Sequence, residues 1–440
     1  MKTYAGSIFY RLVLICAFIS GSLNSQDTAV ESLESKIDRM AKDIEPKAIE
    51  WYKDFHQNPE LGNREFRTAK IVAAHLQKLG IEVKTQVAHT GVVGFLRGRK
   101  SEPVVALRAD MDALPVTEMT NLPYASKVKA IYNGHKVGVM HACGHDVHTS
   151  VLMGVAEVLS RMRNDLNGSV KFIFQPAEEG PPGDEEGGAS LMIKEGVLDN
   201  PKPEAIFGLH VGLLPVGTIA TRPGALLASS DGLKIVVKGQ QTHAAAPWGG
   251  VDPIVVASQI VLGIQTIVSR QLDLTAAPAI ISFGSIHGGV RGNIIPDSVE
   301  LIGTIRSLDP GMRDMIQARV KTTATHIAES AGALAEVEIY RGAPVTMNDE
   351  ALTEQMLPVL RSALGNQNVV ISPPITGSED FAFYAQKIPS MFFFLGVTPP
   401  DADPNKLAPP HSPYFCADKG SIIVGIRAIA NLAADYLERH

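Results

Sequence analysis

The chain has 440 residues, 45% of them hydrophobic and 20% charged, a length that calls for two or three domains and a balance that excludes a disordered chain. With 40 Lys and Arg against 46 Asp and Glu the formal charge is −6, and no basic cluster offsets it, so neither nucleic acid nor an anionic membrane is an expected partner. Only 3 cysteines are present, too few for a disulfide framework.

In chain order, the first element is a targeting segment. Lys2 and Arg11 precede the apolar run 12–19, and Ser20-Gly21-Ser22 offers a small-x-small cleavage site. The run is shorter than the about 20 residues that a membrane span needs, and no later segment reads as long and apolar enough to be one. Ile15 ahead of Cys16 is a poor fit to a lipoprotein. The expectation is a cleaved signal peptide over 1–22 and a secreted or periplasmic protein, leaving only Cys143 and Cys416. Helical periodicity follows over 33–79, interrupted by the turn-like Asn58-Pro59. Short runs rich in Val, Ile and Phe at 104–107, 170–174, 205–209 and 391–395 read as buried strands, with a helix over 149–163 between two of them. Such alternation predicts an α/β fold with a mainly parallel sheet.

The middle of the chain reads differently. A strand over 233–238, a helix over 253–270, strands over 279–285 and 299–306, a helix over 312–330 and a strand over 335–340 give the order β-α-β-β-α-β. That order predicts a ferredoxin-like α+β domain at 225–340, inserted into a main domain made of 30–224 and 341–440. The segment 398–413 reads as a loop, stiffened by Pro409-Pro410.

Polar residues gather after the strands of the main domain. Arg108-Ala-Asp110-Met-Asp112 follows the first run, Gln175-Pro-Ala-Glu178-Glu179-Gly180 the second, and His210 the third. Residues at the carboxyl ends of neighbouring parallel strands converge on one crevice, where such sheets bind ligands. The densest group is Met140-His141-Ala-Cys143-Gly-His145-Asp146-Val-His148. Thiolate, imidazole and carboxylate in one stretch is the composition of a transition-metal site, and coordination accounts for a retained cysteine. His141 and His148, taken singly, suit helix capping as well as ligation. Of the adjacent Glu178 and Glu179, one can bind metal while the other faces a water as general base. Gly377-Ser-Glu379-Asp380-Phe and Pro409-Pro410-His411-Ser-Pro413 add a further carboxylate pair and a histidine on a rigid loop.

Taken together, Arg-Ala-Asp-Met-Asp-Ala-Leu-Pro, His-Ala-Cys-Gly-His-Asp, Gln-Pro-Ala-Glu-Glu-Gly, Gly-Leu-His, Asn-Ile-Ile-Pro-Asp, Gly-Ser-Glu-Asp-Phe and His-Ser-Pro resemble the metal-dependent aminoacylase/carboxypeptidase superfamily. The resemblance spans about 45–438 and is to the branch of hippurate hydrolases and plant auxin-conjugate amidohydrolases. It implies two divalent metal ions, zinc or manganese, held by Cys143, His145, Glu179, His210 and His411, with Glu178 as general base. It also implies that the inserted domain is a lid and dimerisation module, hence a homodimer. His243 would stabilise the oxyanion, from the same or the partner subunit, and Asn293 would approach the substrate carboxylate. Arg306 suits a second carboxylate contact, although an arginine at a strand end also suits a surface ion pair. The chain departs from many relatives at Trp248, where they have a second histidine, which bears on substrate preference. The expected function is a two-metal amidohydrolase cleaving small N-acyl amino acids or short peptides with a metal-activated water. A carboxypeptidase or dipeptidase on the same scaffold is the alternative. A non-catalytic secreted metal- or solute-binding protein is a remoter one, since Glu178 would be superfluous there.

Overall fold

The computed structural model describes residues 31–403 and 406–440, so the expected signal peptide lies outside the described residues. Six strands of the large sheet precede the insertion: β1 (Glu82–Val87), β2 (Gly91–Leu96), β3 (Val104–Asp110), β4 (Ser169–Gln175), β5 (Ala205–Pro215) and β6 (Ile219–Thr221). The insertion contributes β7 (Asp231–Lys238), β8 (Ala279–Gly288), β9 (Ser298–Ser307) and β10 (Leu334–Arg341), and β11 (Val369–Ile371) and β12 (Ser390–Thr398) follow it. The helices that frame them are α1 (Leu33–Gln57), α2 (Phe66–Lys78), α3 (His145–Arg161), α4 (Pro253–Thr266), α5 (Pro310–Ser330), α6 (Glu350–Leu364) and α7 (Ser421–Arg439).

The large sheet runs β1-β2-β4-β3-β5-β12-β6-β11. Its centre, β4-β3-β5-β12, is parallel, while β1, β2 and the β12–β6 pairing are antiparallel. The central strands read as continuous apolar runs because both faces are covered. On one face Val105, Leu107, Phe172, Phe174, Phe207, Leu209 and Phe393 pack with α1, α3 and α7. On the other, Ala106, Ile173, Ile206 and Phe392 pack with Met192, Phe381 and Tyr384. The alternation is the two-residue period of a strand, and burying a side chain of this size contributes roughly 1.5–3 kcal/mol.

The helical pattern over 33–79, interrupted as expected at Asn58-Pro59, forms two helices separated by residues 58–65. The helix predicted from 149 starts at His145, after Gly144 at φ 84°. A Cβ at Gly144 would lie 2.6 Å from Val211 Cγ2, so both the left-handed turn and the close approach of β5 require glycine there.

The insertion has the order β7-α4-β8-β9-α5-β10 and a four-stranded antiparallel sheet, β8-β9-β7-β10, the ferredoxin-like arrangement. It has a core of its own, in which Ile260 and Ile264 of α4 and Ile316 and Val320 of α5 meet Leu233, Ile235 and Leu301. No membrane-length segment is expected past the N-terminus, yet Pro253–Gln271 is long and apolar enough to qualify by length and composition. Its inner face is buried on the sheet, and its outer face leaves Val255 and Leu262 53% and 71% exposed.

Candidate metal centre

Parallel strands aim their carboxyl ends at one edge of the sheet, and the chemistry collects there. Asp110 ends β3, Gln175 ends β4 and leads into Glu178-Glu179, and His210 lies on β5 beside them. His145 opens α3 in the same crevice. The donor atoms of Cys143, His145 and His210 lie within 4.8 Å of one another, as do those of Cys143, Glu179 and His411, and those of His145, Glu178 and Glu179. All five expected ligands and the expected base are therefore brought together from four separate stretches of chain.

The hydrogen bonds set the histidine tautomers. His210 Nδ1 donates to the Val211 carbonyl at 2.7 Å, turning Nε2 towards Cys143 Sγ at 3.3 Å. His145 Nδ1 donates to Asp112 Oδ1 at 3.2 Å, and its Nε2 is buried without a hydrogen-bond partner. Glu179 Oε1 lies 3.0 Å from His411 Nε2, yet the two are not aligned as a hydrogen bond. Lone pairs converging on a shared space, with a buried imidazole nitrogen left over, fit divalent cations. His411 itself sits at φ 70°, a strained conformation for a non-glycine residue, and its N–H is held by the Ala142 carbonyl at 2.8 Å.

Electrostatics agree with this reading. Burial pushes the Cys143 thiol well above its ordinary pKa and Glu179 and Glu178 push it further, so a thiolate there needs cations beside it. Burial, then Glu379 and Glu179, also raise Glu178 well above the usual carboxylate range. The fully buried Arg108 guanidinium is gripped by Asp110 at 2.6 Å, Gln175 at 2.9 Å, Asp380 at 2.8 Å and Glu379 at 3.0 Å. One cation faces more than one carboxylate, which leaves the crevice short of positive charge.

The structure decides one of the two histidines left open by the sequence. His148 uses both ring nitrogens, donating from Nδ1 to Asp110 Oδ1 at 2.6 Å and accepting the Val211 N–H at Nε2 at 2.9 Å. It is a buried neutral brace for β5, and no ligand position remains to it. His141 is buried with neither ring nitrogen bonded, and burial lowers its pKa to about 4.

Two residues acquire roles that their motifs did not announce. Asp112 accepts His145 Nδ1 and also the backbone N–H groups of Glu178 and Glu179, both at 3.0 Å. Glu379 is buried beside Glu178 with one carboxylate oxygen unpaired, and the following N–H of Asp380 donates to Glu178 Oε1 at 3.4 Å. Nothing in sequence spacing shows that the 377–381 loop folds against 178.

The crevice has a volume of about 660 Å³. Leu213, Leu214, Leu227, Ile375 and Phe394 form an apolar wall, and Arg306 reaches the same space from β9. His243 and Asn293 do not line it. They sit together and exposed on the insertion, where His243 pairs with Ile294 and the Asn293 carbonyl accepts the Ala244 N–H at 3.1 Å. His243 Nδ1 accepts the Ala245 N–H, which leaves its Nε2–H to donate elsewhere. Trp248 is 84% exposed nearby.

The chain is similar to known hydrolases over most of its length. The chain is 40% identical to a thermostable carboxypeptidase of Saccharolobus solfataricus over 92% of its own length and 99% of that protein's. It is 40% identical to an IAA-amino acid hydrolase of Arabidopsis thaliana over 87% of this chain and 84% of that one. A crystal structure of a Bacillus subtilis dinuclear metal-binding peptidase superposes with a TM-score of 0.75 at 35% identity, covering 90% of this chain and 99% of that one. The model of peptidase family M20/M25/M40 matches residues 106–435, and the chain belongs to that family of hydrolases.

Proposed function

We propose that this protein hydrolyses the amide bond of small N-acyl amino acids, using two divalent cations held by Cys143, His145, Glu179, His210 and His411. The observation that carries the reading is the convergence of those donors with Glu178 in a crevice that has an apolar wall on one side and Arg306 on another. Bound there, the cations would supply Lewis acidity for the scissile carbonyl and acidify a water. Thiolate and imidazole donors favour zinc, with manganese next.

The residues divide the remaining work. Glu178, held by the Asp380 N–H, takes the proton of the attacking water and returns it to the departing amine nitrogen. Asp112 fixes the backbone on which Glu178 and Glu179 stand. The apolar wall receives the acyl group, and Arg306 pairs with the carboxylate of the amino acid half. His243, with its Nε2–H available, donates to the oxyanion once the insertion closes over the crevice or a partner subunit presents it, and Asn293 travels with it.

The outer face of α4 and the neighbouring edge strand β8 support a homodimer formed through the insertion. Lys2, Arg11 and the apolar run that follows support secretion or periplasmic export. A carboxypeptidase or dipeptidase activity is the second reading, favoured by the likeness to the Saccharolobus carboxypeptidase.

The metal-reconstituted protein, assayed on N-acetyl, N-benzoyl and N-indoleacetyl amino acids and on free dipeptides, separates the two. The proposal expects higher kcat/KM on the N-acyl set, and a preference of about tenfold or more for free dipeptides overturns it. Arg306→Gln is expected to raise KM for substrates with a free carboxylate while leaving kcat little changed.

A further inference from the structure

Glu65 is fully buried, forms no salt bridge among the described residues and takes no part in the chemistry above. It stands at the N-cap of α2, where a carboxylate ordinarily receives the first-turn amides, yet its side chain makes no capping bond. Glu60 caps the helix instead, accepting the N–H groups of Arg67 at 2.9 Å and Thr68 at 2.8 Å. The neighbouring Arg64 turns away to Glu185 at 2.6 Å. Glu65 is thereby left to reach across 112 residues to Ala177, whose N–H it accepts at 2.9 Å, while its second oxygen meets the Thr90 hydroxyl at 2.5 Å.

Ala177 is the residue before Glu178, and it holds φ 50°. Alanine avoids this left-handed region, so a contact must hold it there. Three successive N–H groups of this loop each end on a buried carboxylate: Ala177 on Glu65, and Glu178 and Glu179 on Asp112. The placement is costly. Burial and the nearby charge of Asp112 raise the Glu65 pKa to about 8, against the lowering effect of the Thr90 and Ala177 hydrogen bonds. A residue that breaks the usual rule for buried carboxylates at such a place has a positional reason for being there.

We infer that Glu65 is a positioning residue for the catalytic loop: by holding the Ala177 N–H it locks the left-handed turn that aims Glu178 into the crevice. The inference rests on the reading of Glu178 as the base. Glutamine at 65 keeps the accepting oxygen, whereas alanine removes it.

The test compares Glu65→Ala, Glu65→Gln and the double variant Glu65→Ala/Ala177→Gly in the zinc-loaded full-length protein. Hydrogen exchange of the 175–180 segment, kcat, KM and metal content are measured for each. Glu65→Ala is expected to raise exchange of the 177–179 amides by about tenfold or more and to lower kcat by a similar factor, with KM and metal content unchanged. Glu65→Gln restores both to within about threefold of the native protein, and Ala177→Gly in the alanine background recovers several-fold in kcat because glycine needs no help to adopt the turn. Should Glu65→Ala not fold, Thr90→Val, which frees one side of the carboxylate, is expected to give a smaller change of the same kind. Unchanged exchange, or raised exchange with native kcat, overturns the inference, as does a Glu65→Gln protein as impaired as Glu65→Ala. If Glu178→Gln proves active, the reading of the base fails, while the exchange result still reports whether Glu65 holds the loop.

Discussion

Glu178 and Glu179 are neighbours in sequence with different surroundings, and the difference assigns their work. Glu179 faces His411 and Cys143, whereas Glu178 faces Glu379 and the Asp380 N–H. Glu178→Gln keeps the shape and the contact with Asp380 but cannot take a proton. Turnover is expected to fall by about 10²–10⁴ with metal content unchanged, as read by steady-state kinetics beside elemental analysis. Native turnover in that variant would remove Glu178 from the mechanism. Asp112→Asn sets a different expectation. Its amide cannot accept from His145 and two backbone N–H groups at once, so metal affinity is expected to weaken by about 10–100-fold. A competition titration with a chelating dye measures this, and unchanged affinity would mean that His145 and the loop are held by other contacts.

Among the elements, α4 and the His243 turn belong to the insertion, and their predictions belong together. Leu262→Glu places a charge on the exposed face of α4 without touching its core contacts, and sedimentation is expected to show a shift from dimer to monomer. A dimer of native stability would place the interface elsewhere. His243→Ala is expected to depress the rate while metal stoichiometry and fold stay intact. If His243 acts across subunits, mixing His243→Ala with Glu178→Gln protein restores partial activity in heterodimers. No recovery despite subunit exchange leaves closure within one chain. This is also where legibility in the sequence ended. The β-α-β-β-α-β order and the parallel centre could be read because apolar periodicity records which faces are buried, and strand ends record where a crevice forms. The antiparallel strand β1 could not, since Glu82–Val87 is mostly exposed and carries little pattern, while the short apolar run of β2 went unassigned although it is mostly buried. Nor could the partners of Arg108, Glu379 and Glu65, because hydrogen bonds across 112 or 272 residues leave no mark on local spacing. The same holds for His148, whose exclusion from the metal site depends on a strand that returns to it 63 residues later.

At the scale of the whole molecule, pH acts on the fold through a network beside the site. His56 is buried between Asp146 at 2.7 Å and Glu118 at 3.1 Å. Burial alone would lower its pKa, but the two carboxylates outweigh it and lift the value to about 9. A folded pKa above the unfolded value of about 6.5 stabilises the protein fully below that pH and loses the contribution as pH rises through 9. The gap corresponds to about 3 kcal/mol, so thermal stability is expected to decline from pH 7 to 9.5, with a flatter slope in His56→Gln. An equal slope in both proteins would assign the decline to other groups. The central claim, amide hydrolysis that depends on cations held by these five donors, is tested most directly by returning zinc or manganese to exhaustively chelated protein while following hydrolysis of an N-acyl amino acid. Activity absent from the chelated protein, rising to a plateau at about two equivalents of metal and failing to rise in Cys143→Ala, is the predicted result. Full activity in chelated protein shown to hold no metal would contradict the account.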